Sequence, residues 1–224
     1  MGAWRRLARA APRRDAIGLC TPVVHVGGLI AAAPACGYDP GMAKKKDQPG
    51  FYAVWPTAWG PVGGVAGDGG LRRFALPHYQ ADQLADLLAW EHQGAVRDSV
   101  PFERIIELSR AYFNGQAVEF DDVACELPGE GAFGGKVLRT CRTLRYAQTV
   151  SYSELAKLIG QPEASRAVAA ALGKNNIPLV IPCHRVMYAD GALGGFSAPG
   201  GVEIKRRMLA LEASGRQTRN THSE

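Results

Sequence analysis

Ser151-Tyr-Ser-Glu-Leu-Ala-Lys-Leu-Ile-Gly-Gln-Pro-Glu-Ala-Ser-Arg-Ala-Val-Ala-Ala-Ala-Leu-Gly173 is the stretch that decides the fold. Ser151 followed by Glu154 fits a capping box, in which hydroxyl and carboxylate each satisfy a free backbone N–H at a helix start. A short helix then runs to Gly160, Gln161-Pro162-Glu163 turns the chain, and Ala164 to Leu172 forms a second short helix stopped by Gly173. Two short helices across a tight turn make a helix-turn-helix pattern, although a plain helical hairpin reads the same way. The second helix sharpens the choice. At about 100° per residue, Val168 and Leu172 face a core, while Arg166, Ala169, Ala170 and Gly173 share the opposite side. A face bare except for one cation lets the backbone approach a partner closely. It lacks the polar side chains that read base edges, so it would bind shape and phosphate more than sequence.

On the C-terminal side, Pro178-Leu-Val-Ile-Pro182 reads as a buried, strand-like piece leading into Cys183-His184-Arg185. A buried cysteine is most often an inert small hydrophobe. The adjacent imidazole changes that reading, because a thiol with a pKa of about 8.5 needs a base partner to act as a nucleophile near neutrality. A turn follows at Asp190-Gly191, flanked by Val186-Met-Tyr and Ala192-Leu. Residues 202–212 read as a helix with Glu203, Arg206 and Arg207 on a polar arc and Val202, Ile204, Met208, Leu209 and Leu211 on an apolar one. Lys205 and Glu212 fall within that apolar arc. Their stems could snorkel at its edge; alternatively both charges are buried and paired because they serve a site beneath the helix.

On the N-terminal side, Tyr52 to Trp55, Gly60 to Gly67 and Leu71 to Leu76 read as strands, with a turn at Asp68-Gly69-Gly70. Residues 80–93 and 101–114 read as helices, the second ending at Asn114-Gly115. Residues 116–132 are loop-like and hold the expected domain boundary; Phe133 to Leu144 is a further helix with Val137, Leu138 and Cys141 on one side. The first 41 residues leave three readings open: a secretory signal, an unstructured basic leader, or residues upstream of a start at Met42. The chemistry downstream favours the latter two over export.

The chain has 224 residues, 46% hydrophobic and 21% charged, which excludes a wholly disordered protein. Its net charge of +5 is unevenly spread. Residues 43–135 carry eight bases and thirteen acids, net −5, whereas residues 136–224 carry thirteen bases and six acids, net +7. A basic C-terminal part suits a polyanion, or is simply a solvated surface. Five cysteines without a C-x-x-C pair indicate neither a disulfide framework nor a zinc site, and favour a reducing compartment.

Ile181-Pro-Cys-His-Arg-Val186 resembles the I-P-C-H-R-V motif of the alkylguanine-DNA alkyltransferases, the methylated-DNA–protein-cysteine methyltransferases. The resemblance runs from about Phe133 to Glu212. It includes the Ser-Tyr-x-Glu-Leu-Ala helix start, the Arg-Ala-Val within the second helix, an Asn before the motif and the closing Lys-Arg-x-x-Leu-x-x-Glu helix. Residues 51–127 fit the family's N-terminal domain weakly. The resemblance implies an α/β (α+β) architecture. A leader or tail would occupy 1–46, a small N-terminal sheet-plus-helix (RNase H-like) domain 47–127, a mostly helical winged helix-turn-helix domain 130–215, and a tail 216–224.

It also implies roles. Cys183 would take the alkyl group from guanine O6, His184 would polarise it through a water, and Glu212 would orient the imidazole. Tyr152 would donate toward the purine, supported by Lys205. Ser197 would bind the O6 side, and backbone at Cys183 and Val186 would accept from the exocyclic amine. Asn175 would hold the hinge before the reactive segment, and Arg166 would fill the space of the extruded nucleotide. Arg185, Ala169 and Ala170 complete the expected DNA-contacting set. The implied partner is double-stranded DNA carrying O6-alkylguanine, met mainly through the minor groove by a cytoplasmic monomer without membrane contact, cofactor or metal.

Two departures from the family pattern stand out. Phe196 occupies a place where many members have Tyr, and Gly173 a place where some carry a cation. Two rival readings remain. One is a non-enzymatic lesion-binding protein of the alkyltransferase-like group, against which Cys183 argues. The other is a Cys-His hydrolase that binds DNA, which would need an oxyanion site that nothing in the sequence demands.

Overall fold

The computed structural model describes residues 50–220, with side chains described as far as residue 215. The leader readings and the end of the tail lie outside the described residues. Strands β1 (Phe51–Thr57), β2 (Gly60–Gly67) and β3 (Gly70–Ala75) form an antiparallel meander. The short β4 (Val96–Arg97) returns parallel to β1, giving the order β3-β2-β1-β4. Alternation along β1 decides the faces. Ala53 and Trp55 point toward the main core, where Trp55 meets Phe74 and Phe102. The other face receives α1 (Ala81–Glu91), whose Leu84 and Leu88 pack with Val65 and Ala75. Gly63 permits that close approach, since a Cβ there would lie 2.8 Å from Leu88 Cδ1 and 2.9 Å from the Ala53 carbonyl oxygen.

Helix α2 (Glu103–Phe113) follows a 3-10 turn at Val100–Phe102 and buries Ile105, Leu108 and Tyr112. The indole N–H of Trp55 donates to Ser109 Oγ at 2.9 Å, fixing α2 to the sheet. Gly115, in the left-handed region at φ +83°, ends the helix as Asn114-Gly115 suggests. The segment 116–132 has no helix, as expected, yet it is stapled down. Leu71 N–H donates to Ala124 O at 2.8 Å, and one Arg142 nitrogen donates to the carbonyls of residues 120, 121 and 123. The main core runs without a break from the sheet into the helices beyond this segment, and the described residues belong to one unit.

Those helices are α3 (Phe133–Arg142), α4 (Tyr152–Leu158), α5 (Ser165–Leu172) and α6 (Gly201–Asn220); β5 (Val150–Ser151) pairs parallel with β6 (Val186–Met187). The Ser151–Glu154 capping box forms: Ser151 Oγ accepts from Glu154 N–H at 3.1 Å, and Glu154 Oε2 accepts from Ser151 N–H at 2.6 Å. Val168 and Leu172 are buried and Arg166, Ala170 and Gly173 exposed, as the periodicity predicts. None of the described helices is long and apolar enough to cross a membrane.

Helix α5 ends at Leu172 with Gly173 as its cap, in a right-handed conformation (φ −62°), as the sequence suggests. Two local expectations need correction. Pro178 to Pro182 is not strand-like. Leu179 has φ +77° and Ile181 N–H donates back to Ile177 O at 3.0 Å, so the segment is a tight buried turn. Prolines at both ends remove ladder donors and leave the apolar run no strand partner. Val202, placed on the apolar arc of α6, is exposed because it precedes the helix's contact with the core.

Lys205 and Glu212 are both buried, on the inward stripe of α6. Glu212 is the hub that joins α6 to the rest. Its Oε1 accepts from Tyr112 Oη of α2 at 2.9 Å and meets His184 Nε2 at 2.8 Å, while Arg185 donates through Nε and Nη2 at 3.0–3.2 Å. Oε2 accepts from Ala147 N–H at 3.0 Å. Burial alone would raise this carboxyl, but hydrogen bonding and charge from His184 and Arg185 outweigh it and hold the pKa at about 2. A depressed carboxylate contributes stability that is present above its unfolded pKa of about 4.5 and is lost as pH falls through the folded value. Between pH 5 and pH 2 the wild-type protein therefore loses about 3 kcal/mol through this group. Urea unfolding at stepped pH should show that loss much reduced in Glu212→Gln; equal declines in both proteins would contradict the assignment.

Candidate active site

Cys183 opens a 3-10 turn (Cys183–Arg185) directly after the tight turn at 178–182. That backbone path sets the thiol at a cavity of about 370 Å³, lined also by Tyr152, Ala169, Leu172, Gly173, Tyr188, Gly195, Phe196 and Ser197. The cavity lies between the bare face of α5 and the segment after β6, so the exposed helix surface and the reactive sulfur share one opening. Phe196 and Tyr188 supply flat apolar walls, and the Tyr188 ring meets that of Tyr152 at 5.3 Å. Gly194 (φ +67°) leaves room for the phenol: a Cβ there would lie 2.7 Å from Tyr152 Oη.

Asn175 holds the sulfur. Its Nδ2 donates to Cys183 Sγ at 3.1 Å and to Ile181 O at 3.0 Å, and its Oδ1 accepts from Ile177 N–H at 3.0 Å. One buried amide thus fixes both ends of the tight turn and the thiol. Burial pushes the Cys183 pKa up; the Asn175 amide, the Lys205 charge and the N–H groups of residues 183 and 184 oppose it. The net direction is upward, so the resting group is a thiol and needs a base. His184 is wholly buried and burial lowers its pKa, although Glu212 pulls the other way, so the resting imidazole is neutral. Its Nε2 faces the carboxylate, which places the ring proton there and leaves Nδ1 as an acceptor. Nδ1 is buried and has no protein hydrogen-bond partner.

Lys205 Nζ donates to Val186 O at 2.6 Å and to Leu193 O, tying β6 to the returning chain. It reaches Tyr152 as a cation 5.9 Å from the ring centroid rather than through the phenol oxygen. Burial raises the Tyr152 pKa, with Tyr188 and Cys183 adding to the shift, so the hydroxyl stays protonated and able to donate.

The structure brings Cys183, Tyr152, Ser197 and Ala169 to the cavity wall and sets His184, Glu212, Asn175 and Lys205 behind it. Arg166 and Ala170 lie outside on the exposed face of α5. Arg185 corrects the expected DNA-contacting set. It is 2% exposed, and its guanidinium is committed to Glu212 and to Leu144 O at 2.6 Å, so it braces the carboxylate and reaches no surface. The Val186 carbonyl accepts from Lys205 Nζ, and a carbonyl oxygen has a second lone pair. Sequence reasoning does not single out Tyr112 or Tyr188. Tyr112 carries one signal, a large ring with a hydroxyl on a mostly apolar helix face, which requires a buried partner. Among the described residues no cluster of His, Cys, Asp or Glu could hold a metal ion.

Comparison with known proteins converges on this region. A family model described as the DNA binding domain of 6-O-methylguanine DNA methyltransferase matches residues 132–214. A methylated-DNA–protein-cysteine methyltransferase of Mycolicibacterium paratuberculosis is 44% identical over 111 residues, 50% of this chain and 65% of that protein, so this alignment spans just under two thirds of that relative. A Methanosarcina acetivorans protein of the same name is 42% identical over 166 residues, 73% of this chain and 99% of the relative. The crystal structure of Mycobacterium tuberculosis OGT in complex with DNA superposes with a TM-score of 0.61 at 34% identity, covering 74% of this chain and 94% of that one. Similar over most of their own length to relatives of that name, the chain belongs to the methylated-DNA–protein-cysteine methyltransferases.

Proposed function

We propose that this protein repairs DNA by direct reversal, moving a methyl or other alkyl group from guanine O6 to its own Cys183. The observation that carries this reading is Cys183 at the wall of a base-sized cavity that opens beside a bare, Arg-bearing helix face, with a neutral imidazole locked to a buried carboxylate behind it. The C-terminal part acts as a winged helix-turn-helix on the minor groove of duplex DNA, where small residues on α5 allow close approach. The β3-β2-β1-β4 order with β4 parallel to β1 supports an RNase H-like reading of the N-terminal sheet. On this reading the protein works in the cytoplasm, beside the chromosome, as a monomer.

Transfer is a single displacement at an sp³ carbon. The Cys183 thiol gives its proton through a water to His184 Nδ1, and the imidazolium is stabilised by Glu212. The sulfur attacks in line with the C–O bond; the S–C bond forms as the O6–C bond breaks. Ser197 faces the O6 side, the departing purine takes the Tyr152 hydroxyl proton, and the proton held on His184 returns to the Tyr152 oxygen through solvent, so thiol and O6-alkylguanine become thioether and neutral guanine with no net change of charge. An extruded base held in a dry cavity supplies the alignment. The thioether has no leaving path, so each chain acts once. Presence of the acceptor sulfur speaks against the non-enzymatic lesion-binding reading.

Intact-protein and peptide mass spectrometry after incubation with an O6-methylguanine duplex should show one added methyl group on Cys183 and no more than one equivalent transferred. Cys183→Ser should show no gain while retaining duplex binding. Repeated turnover, or a methyl group elsewhere, would overturn the reading. Because extruding a base costs a few kcal/mol, Arg166→Ala should slow transfer from duplex by about tenfold or more. Transfer from free O6-methylguanine should change by less than about threefold; equal losses would remove Arg166 from the base-replacing role.

A further inference from the structure

We propose that Tyr112, on α2 of the N-terminal half, is a positioning residue of the transfer reaction: its hydroxyl donates to the same Glu212 oxygen that holds His184, and so sets how strongly the carboxylate grips the imidazole. The inference rests on the transfer reading above and assigns the N-terminal half a part in it.

Three observations carry it. Tyr112 is wholly buried, and its Oη meets Glu212 Oε1 at 2.9 Å, across 100 residues of sequence. Oε1 also meets His184 Nε2 at 2.8 Å and Arg185 Nη2 and Nε at 3.0 and 3.2 Å, so three residues compete for one oxygen. The Tyr112 ring stands edge-on to His184, Phe113 and Tyr146 with centroids 5.3 to 6.4 Å apart, contacts that a phenyl ring would keep. Ring and hydroxyl are therefore separable: the ring packs, and the hydroxyl acts on the carboxylate. Burial raises the Tyr112 pKa well above its usual value, with Glu212 adding to the shift, so the phenol remains a donor throughout the working pH range.

The sign follows from elementary electrostatics. A hydrogen bond to a carboxylate stabilises its charge and weakens it as a base. Without the phenol, Glu212 stabilises the imidazolium more strongly and the His184 pKa rises. Transfer needs neutral His184, so the acid limb of the rate profile moves to higher pH. The other ionisable groups around the pair are Arg185 beside His184, Tyr146 before β5, Lys205 on α6, and the thiols of Cys183 and Cys141. Tyr112→Phe alters none of them.

The test is the single-turnover methyl-transfer rate of the full chain from pH 5 to 9. For Tyr112→Phe the acid limb should shift up by about one pH unit, the size expected when a hydrogen bond to a charged acceptor is lost. The plateau rate should stay within about threefold. Replacing Tyr112 with 3-fluorotyrosine, a stronger donor that preserves the fold, should shift the limb downward and keeps the test decisive should the phenylalanine variant fold poorly. Phe113→Leu, a packing control, should lower the melting temperature without moving the limb. A limb unmoved by both Tyr112 changes, with the wild-type protein still methylated on Cys183, would overturn this proposal alone. A wild-type protein that takes up no methyl group would overturn the transfer reading itself.

Discussion

A carboxylate buried at 1% exposure among aromatic rings is costly unless every lone pair is used, and the architecture around residue 212 is arranged to use them. Tyr112 comes from α2, His184 and Arg185 from the reactive turn, and the Ala147 N–H from the loop before β5. None of these partners is near Glu212 in sequence. Folding must bring all of them together before the charge is tolerable, so the same interaction that closes the structure also locks the imidazole. Stability and reactivity share one group.

Reactivity is built up outward from that group. The carboxylate fixes the His184 tautomer, the free ring nitrogen defines where a proton can go, and the Asn175 amide holds the sulfur in place by bonding both the thiol and the turn that carries it. The positive φ at Leu179 is what allows this turn between two prolines, and its strain is held by complete burial on both sides. In front of the sulfur, the helix α5 offers alanine and glycine rather than long side chains, and the cavity begins where that bare surface ends. A thiol whose pKa is raised by burial is a poor spontaneous nucleophile; it becomes one when a base and an aligned electrophile are both present. That protects a single-use residue from loss to stray electrophiles.

Much of this is legible in the order of the residues. The capping box, the inward Val168 and Leu172, and the two charges stranded on the apolar stripe of α6 follow from periodicity alone, because each depends on residues within a turn or two of one another. The strands of the meander are legible for the same reason. What periodicity does not carry is pairing across the chain. Arg185, beside the nucleophile, looks like a phosphate contact until its guanidinium is seen folded back onto Glu212 and Leu144. Tyr112 looks like one more core ring until its hydroxyl is found on Glu212. The apolar run at 178–182 misleads because hydrophobicity records burial and not backbone direction. The sheet's β1–β4 parallel pairing likewise joins strands separated by a helix, and no local pattern announces it.

The central claim is that Glu212 holds His184 as a neutral base with its proton on Nε2 and its lone pair on Nδ1. Nitrogen-15 NMR of the histidine side chain in the unreacted protein at pH 8 tests it directly. The account predicts that His184 carries a single proton, on Nε2, with the Nδ1 resonance in the unprotonated range. A proton on Nδ1, or an imidazolium at that pH, would mean that no acceptor is available for the Cys183 thiol and would contradict the account.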